Sequence, residues 1–175
     1  MCSVRCTCSF SKATGELIHF PVSHKLQQNT KQGFLGRYGF PGVLGVIDCT
    51  PTQNRHLYIN RKGTDYVNVQ EVCDANNYIT NVYANYVGSA HESFILTISQ
   101  VAAVFQWDDS MRGWLIGVNG YPQKRWLLTP MLNPTTPAEQ RYNRTFKCTR
   151  TVIEQTFGIL KMWFQCLDVT GGTLQ

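Results

Sequence analysis

The chain has 175 residues, 43% hydrophobic and 12% aromatic, with 16 Lys and Arg against 11 Asp and Glu, a net charge of +5. That is enough for one well-cored domain and marginal for two, and the composition excludes a disordered chain. Nothing approaches the roughly 20 apolar residues of a membrane span, and Met1–Ser11 has no apolar signal-peptide core, so a soluble, intracellular, mildly basic protein is expected.

Seven cysteines, an odd number, several of them inside apolar segments, suit reduced thiols better than a disulfide framework. Cys2, Cys6 and Cys8 lack the second ligand pair that a zinc site needs.

Residues 1–36 show little periodicity and are taken as a poorly structured extension, with 37–175 as the main domain. After the turn cluster Phe40-Pro41-Gly42, the run Val43 to Asp48 is apolar on both faces, as a central buried strand would be. Pro51 to Gly63 has loop composition. Tyr66 to Ala75, a turn at Asn76-Asn77, and Ile79 to Val87 predict a β-hairpin. Ala90 to Phe105 predicts one helix, with Phe94, Ile98, Val101 and Phe105 as its inner stripe and Ser89 as N-cap.

Trp114 to Val118 predicts a second buried strand. Pro122 to Asn143 is irregular. Thr145 to Phe164 then predicts a long amphipathic helix with Ile153, Phe157, Leu160 and Phe164 as one stripe, widened by Val152, Ile159 and Trp163. This order of strands and helices predicts an α/β fold, a mixed sheet flanked by helices.

Three acids stand out. Asp48 closes an apolar strand, where a charge is costly unless it is paired, hydrogen-bonded or bound to a cation. It reads either as a metal-binding carboxylate at a strand end or as a cap on a turn at Cys49-Thr50-Pro51. Glu154 shares a helix face with Lys147, Arg150, Gly158 and Lys161. That face reads either as a phosphate-handling strip or as an exposed helix with an i, i+4 pair to Arg150. Glu92 lies near the start of the middle helix, where the helix dipole alone favours an acid.

Between Tyr121 and Gln165, seven cations stand against two acids, Glu139 and Glu154. Arg141, Arg144, Lys147, Arg150 and Lys161 are the candidates for a nucleic-acid backbone. No nucleophile triad, P-loop or dinucleotide fingerprint is present.

Several stretches together resemble the endonuclease domain of the Harbinger transposase family and the nucleases derived from it. They are Phe40 to Thr50, Tyr58 to Gly63, Val72-Cys73-Asp74, Gly88 to Ser93, Trp114 to Gly117, Thr136 to Asn143 and Thr151 to Gly158. The resemblance runs in consistent order from about Ile18 to Gln175. It implies an RNase H-like fold of the DDE type and Mg²⁺- or Mn²⁺-dependent hydrolysis of DNA. Asp48 and Glu154 would be catalytic, and Asp48, Glu92 and Glu154 would be metal ligands. It further implies a nuclear location and a Myb-like partner protein. At Glu92 the family usually has Asp.

Two departures matter. After the second buried strand the family reads Gly-Asp-Ser-Gly-Tyr, whereas this chain reads Gly117-Val118-Asn119-Gly120-Tyr121, so an expected acidic ligand is Val118. The histidine expected soon after the first aspartate is absent, because Asp48-Cys49-Thr50 continues with Pro51. Valine cannot ligate a hard cation. The family also carries further segments on both sides of this domain, so a truncated domain is expected. The expectation is an impaired nuclease, with a non-catalytic binding module on the same fold as the alternative.

Overall fold

The computed structural model describes residues 18–53, 66–87 and 90–163. The cysteine cluster Cys2, Cys6, Cys8, the N-cap expected at Ser89, and Phe164 of the expected helix stripe lie outside these residues, as do residues 54–63 of the expected loop. In chain order the elements are α1 (His24–Tyr38), β1 (Val43–Gln53), β2 (Tyr66–Cys73), β3 (Ile79–Val87) and α2 (Glu92–Ile98). They continue as α3 (Gln100–Trp107), β4 (Trp114–Ile116), β5 (Leu127–Leu128) and α4 (Pro137–Trp163).

The expected apolar run is the middle strand of a five-stranded sheet ordered β3-β2-β1-β4-β5. β1 pairs antiparallel with β2 and parallel with β4, β2 pairs antiparallel with β3, and β4 pairs parallel with β5. Val43, Leu44, Val46 and Ile47 are wholly buried, as a strand covered on both faces requires. One face packs Val43, Val46, Cys73 and Ile116 against Phe34 of α1 and Phe146, Val152 and Ile153 of α4. The other packs Leu44, Ile47, Val72 and Leu115 against Leu96, Val101 and Ala102 of α2 and α3. The fold is an α/β, RNase H-like mixed sheet with helices on both faces.

A register shift between Val43 and Gly45 inserts one extra residue into β1. Gly45 is needed there, because a Cβ would meet Val72 Cγ1 at 2.5 Å. Beyond the shift, alternation turns Val46 and Asp48 toward α4, and Ile47 and Cys49 toward the opposite face.

Several local expectations are corrected. β1 does not end at Asp48 but runs on through Pro51 to Gln53. Its pairing with β4 stops at Val46, so from Asp48 onward that edge is open and tolerates a proline without an N–H. The single helix expected over 90–105 is two helices broken at Ser99, whose Oγ accepts from Ala102 N and donates to Leu96 O. The break rotates the faces, leaving Phe94 and Ile98 exposed and burying Ile95 and Leu96.

Helix α1 lies mostly within the stretch 1–36 expected to be aperiodic and runs two residues past it. Helix α4 begins at Pro137, eight residues before the expected Thr145. Its start is a capping box: Glu139 N donates to Thr136 Oγ1 and Thr136 N to Glu139 Oε2. The buried face of α4 is Phe146, Thr149, Val152, Ile153 and Thr156, while Ile159 and Trp163 are exposed.

Candidate active site

Where β4 stops, the chain turns away through Gly117 to Tyr121, and the open edge of β1 leaves a cleft of about 640 Å³. Asp48, Asn68, Glu92, Val118, Asn119, Gly120 and Arg150 line it together with Ala90 and His91. The elements that bring them together are β1, β2, the start of α2, the turn after β4, and α4. In sequence they span more than a hundred positions.

Asp48 is buried, at 8% exposure, and its Oδ1 accepts a hydrogen bond from Cys49 N at 2.8 Å. Its Oδ2 faces Arg150 Nη2 at 3.7 Å. Burial dominates its titration and pushes the carboxyl up to about 6; the Cys49 N–H and Arg150 pull it down, while Glu92 and Glu154 push it further up. The carboxylates of Glu92 and Glu154 therefore both act on Asp48 through space. The capping reading of Asp48 has no turn to serve, since the backbone continues as strand; the hydrogen bond to Cys49 is local.

Glu92 opens α2, after His91, whose side chain accepts from Ser93 N as the N-cap. Glu92 Oε2 is buried and makes no hydrogen bond, and burial raises the pKa of this acid, partly offset by His91 and Arg150. Gly120 lies directly against this carboxylate; a Cβ there would collide with Oε2. Asn68, on β2, donates to Ala90 O at 2.9 Å and pins the entry to α2.

Glu154 stands on α4 with its side chain 55% exposed, and its Oε1 lies 3.3 Å from Arg150 Nη2. The i, i+4 pair weighed from the sequence is present, and the same nitrogen reaches Asp48. Two acids 106 positions apart thus sit within 4 Å of one guanidinium nitrogen. Glu154 is joined to the cleft through Arg150 rather than lining it.

Val118 lines the cleft beside Asp48 and Glu92 and packs against the core on its other side. Its carbonyl accepts from Tyr121 N at 3.1 Å, closing the turn that carries Gly120 to Glu92. On the far face of β1, Cys49 Sγ and Tyr121 Oη are 3.2 Å apart, and burial pushes the Cys49 thiol up to about 12, so it stays protonated at neutral pH.

A divalent cation has a partial fit here. Asp48 Oδ2 and the orphaned Glu92 Oε2 are hard oxygen donors of the kind Mg²⁺ or Mn²⁺ takes. Val118 supplies nothing. Among the described residues, no three His, Cys, Asp or Glu side chains gather into a ready metal-binding group. Asp48 and Glu92 are the oxygen donors that a divalent cation would meet in this cleft.

The other sequence-chosen cations run along α4. Arg141, Arg144 and Lys147 are exposed, and Arg150 and Lys161 are half-buried. Residues 141 to 161 cover roughly 30 Å of helix at 1.5 Å per residue. No helix among the described residues is long and apolar enough to cross a membrane.

Sheet order, the cleft at the end of β4 and the acids around it fit the fold class of the DDE superfamily endonucleases. The DDE superfamily endonuclease model matches residues 43–175, and the chain belongs to this family. Among curated proteins it is similar to the protein named "Putative nuclease HARBI1", a Harbinger transposase-derived nuclease. It is 35% identical to the Bos taurus and Homo sapiens forms and 36% to the Mus musculus form, in each case over 98% of this chain and 52% of the relative. The chain spans about half the length of the curated relatives it matches. No solved structure matches it.

Proposed function

We propose that this chain is a DNA-directed, divalent-metal-dependent phosphodiesterase domain whose catalytic capacity is reduced at Val118. The observation that carries the reading is the convergence of Asp48, Glu92 and Val118 on one cleft, with Glu154 tied to it by Arg150. In hydrolysis of a phosphodiester, a bound divalent cation supplies Lewis-acid stabilisation of charge and lowers the pKa of an attacking water. Asp48 and Glu92 are the residues that would hold it, with Glu154 reached once Arg150 moves.

The remaining work falls to the chain's own side chains. Asp48 Oδ1, fixed by Cys49 N–H, keeps Oδ2 turned to the cleft. Arg141, Arg144 and Lys147 offer exposed charge to the backbone of a duplex lying along α4, a contact that positions DNA without reading its sequence. A nuclear location and a Myb-like partner protein belong to the same proposal and rest on the family resemblance alone.

Nicking of supercoiled plasmid in Mn²⁺ tests the reading. Slow nicking is expected, abolished by EDTA and by Asp48→Asn. Nicking that persists in Asp48→Asn removes the cleft from the chemistry. DNA binding with no nicking under any metal leaves the chain a non-catalytic binding module, the outcome that complete loss of the Val118 ligand would give.

A further inference from the structure

We propose that Arg150 is a built-in counter-cation of the cleft, competing with the divalent metal for carboxylate and released toward a DNA phosphodiester when the metal arrives. The inference rests on the metal-dependent reading above and assigns a positioning residue within it. One nitrogen, Nη2, carries both contacts, 3.7 Å to Asp48 Oδ2 and 3.3 Å to Glu154 Oε1. Asp48 Oδ1 is already taken by Cys49 N–H, so Oδ2 is the oxygen available to a ligand, and Arg150 faces it.

A guanidinium and a metal ion cannot both hold that oxygen at contact distance. Nor is Arg150 bonded to its full capacity. Its Nε is buried and makes no hydrogen bond, although the group has five N–H donors arranged to fork onto carboxylate or phosphate. Its side chain remains 38% exposed and lines the cleft where a substrate phosphate would lie. The groups facing it are Asp48 and Glu154 in contact, with Glu92 across the cleft.

The substitution at Val118 tips the balance. Where an inward carboxylate is replaced by valine, less negative charge remains to draw a divalent cation, and a fixed monovalent cation suffices to neutralise the rest. Metal concentration drives the exchange, because the ion and the guanidinium compete for the same carboxylate oxygen. Displaced, its fork is free for a phosphate oxygen, coupling metal entry to DNA binding.

The test is calorimetric titration of the full chain with MnCl₂ in the absence of DNA, comparing the natural chain with Arg150→Gln and Arg150→Lys. Removing one positive charge a few ångströms from the ion should tighten Mn²⁺ binding by about tenfold or more. Arg150→Lys, which keeps the charge, should stay within about threefold of the natural chain, and Arg150→Gln should bind a short duplex less well. A residue that merely braces the fold would not give tighter metal binding when removed. Unchanged or weaker Mn²⁺ affinity in Arg150→Gln overturns the proposal.

Asp48→Asn separates that failure from failure of the underlying reading. If it abolishes Mn²⁺ binding, the cleft remains the metal site and only the role of Arg150 falls. If Mn²⁺ binding ignores it, both fall. Should Arg150→Gln not fold, the ¹⁵Nε signal of Arg150 in the natural chain, followed during a Mg²⁺ titration, decides. The proposal requires that signal to move with saturation, and a signal that stays fixed overturns it.

Discussion

Replacing Val118 by Asp restores an acid where the family has one and separates a weakened metal site from an abolished one. In the metal-free protein the change has two costs. A half-buried valine that packs against the core loses roughly 1 kcal/mol of burial. A third carboxylate beside Asp48 and Glu92 adds like-charge repulsion of about 1–2 kcal/mol at an effective dielectric of 20 or more, eased by the openness of the cleft. A loss of ~2–3 kcal/mol lowers Tm by roughly 5–10 °C for a domain of this size.

With Mn²⁺ the sign reverses. An added oxygen ligand raises affinity, and saturation at about 100 times Kd returns ~2.7 kcal/mol. Val118→Asp should therefore melt below the natural chain in EDTA and at or above it in millimolar Mn²⁺, with plasmid nicking raised at least about tenfold. Differential scanning fluorimetry with and without Mn²⁺, beside the nicking assay, reads all three. A folded Val118→Asp protein whose Tm ignores Mn²⁺ would refute the reasoning, as would vigorous metal-dependent cleavage by the natural chain.

Glu71 is 5% exposed, with a buried Oε2 that makes no hydrogen bond, and burial pushes its carboxyl from 4.5 up to about 7. Because the folded pKa is raised, its proton-linked stabilisation is full below about pH 4.5 and is lost as pH rises through about 7. Glu71→Gln should therefore gain on the order of 2–3 kcal/mol at pH 8 and almost nothing at pH 4, measured by urea denaturation; equal effects at both pH values would contradict the assignment. Gly120→Ala should push the Glu92 carboxylate aside, weakening Mn²⁺ binding several-fold with little change in Tm, because the colliding group is the end of a flexible side chain. Replacing Arg141, Arg144 and Lys147 together by Ala should reduce the salt dependence of duplex binding by about three contacts, seen as a shallower slope of log K against log [salt]; an unchanged slope would make them a solvated face.

What the sequence revealed follows from what hydrophobic patterning can carry. β1 was legible because a run from Val43 to Ile47 apolar on both faces fits only a covered strand, and the hairpin was legible because Asn76-Asn77 interrupts two β-rich runs. Asn77 takes φ 66°, the left-handed conformation that asparagine tolerates best after glycine. Helix α1 was not legible, because it buries only two residues, one of them apolar, Phe34, and the other polar, Gln27. Gln27, 1% exposed, donates from Nε2 to Val22 O and Ser110 O and accepts from Arg112 N, a role no apolar stripe announces.

The break at Ser99 was hidden because Phe94, Ile98, Val101 and Phe105 happen to keep helical spacing across it. The early start of α4 did have a signal, the Thr136-Pro137-Ala138-Glu139 capping box. Of the site, the acids were legible as isolated oddities and became a set through family resemblance. Their meeting point was not legible, nor was the Arg150 bridge to Asp48, since it joins a strand to a helix across more than a hundred residues. Gly120, whose missing side chain makes room for Glu92, carries no local sequence signal of that role.

Asp48 and Glu92 are proposed to hold a divalent cation in the cleft at the end of β4. Crystals soaked in MnCl₂ and measured at a wavelength where manganese scatters anomalously test it most directly. One anomalous peak is expected within ligand distance of Asp48 Oδ2 and Glu92 Oε2, with the Arg150 guanidinium moved off Asp48. A peak elsewhere, or an empty cleft at saturating Mn²⁺ with the Arg150–Asp48 contact intact, would contradict it.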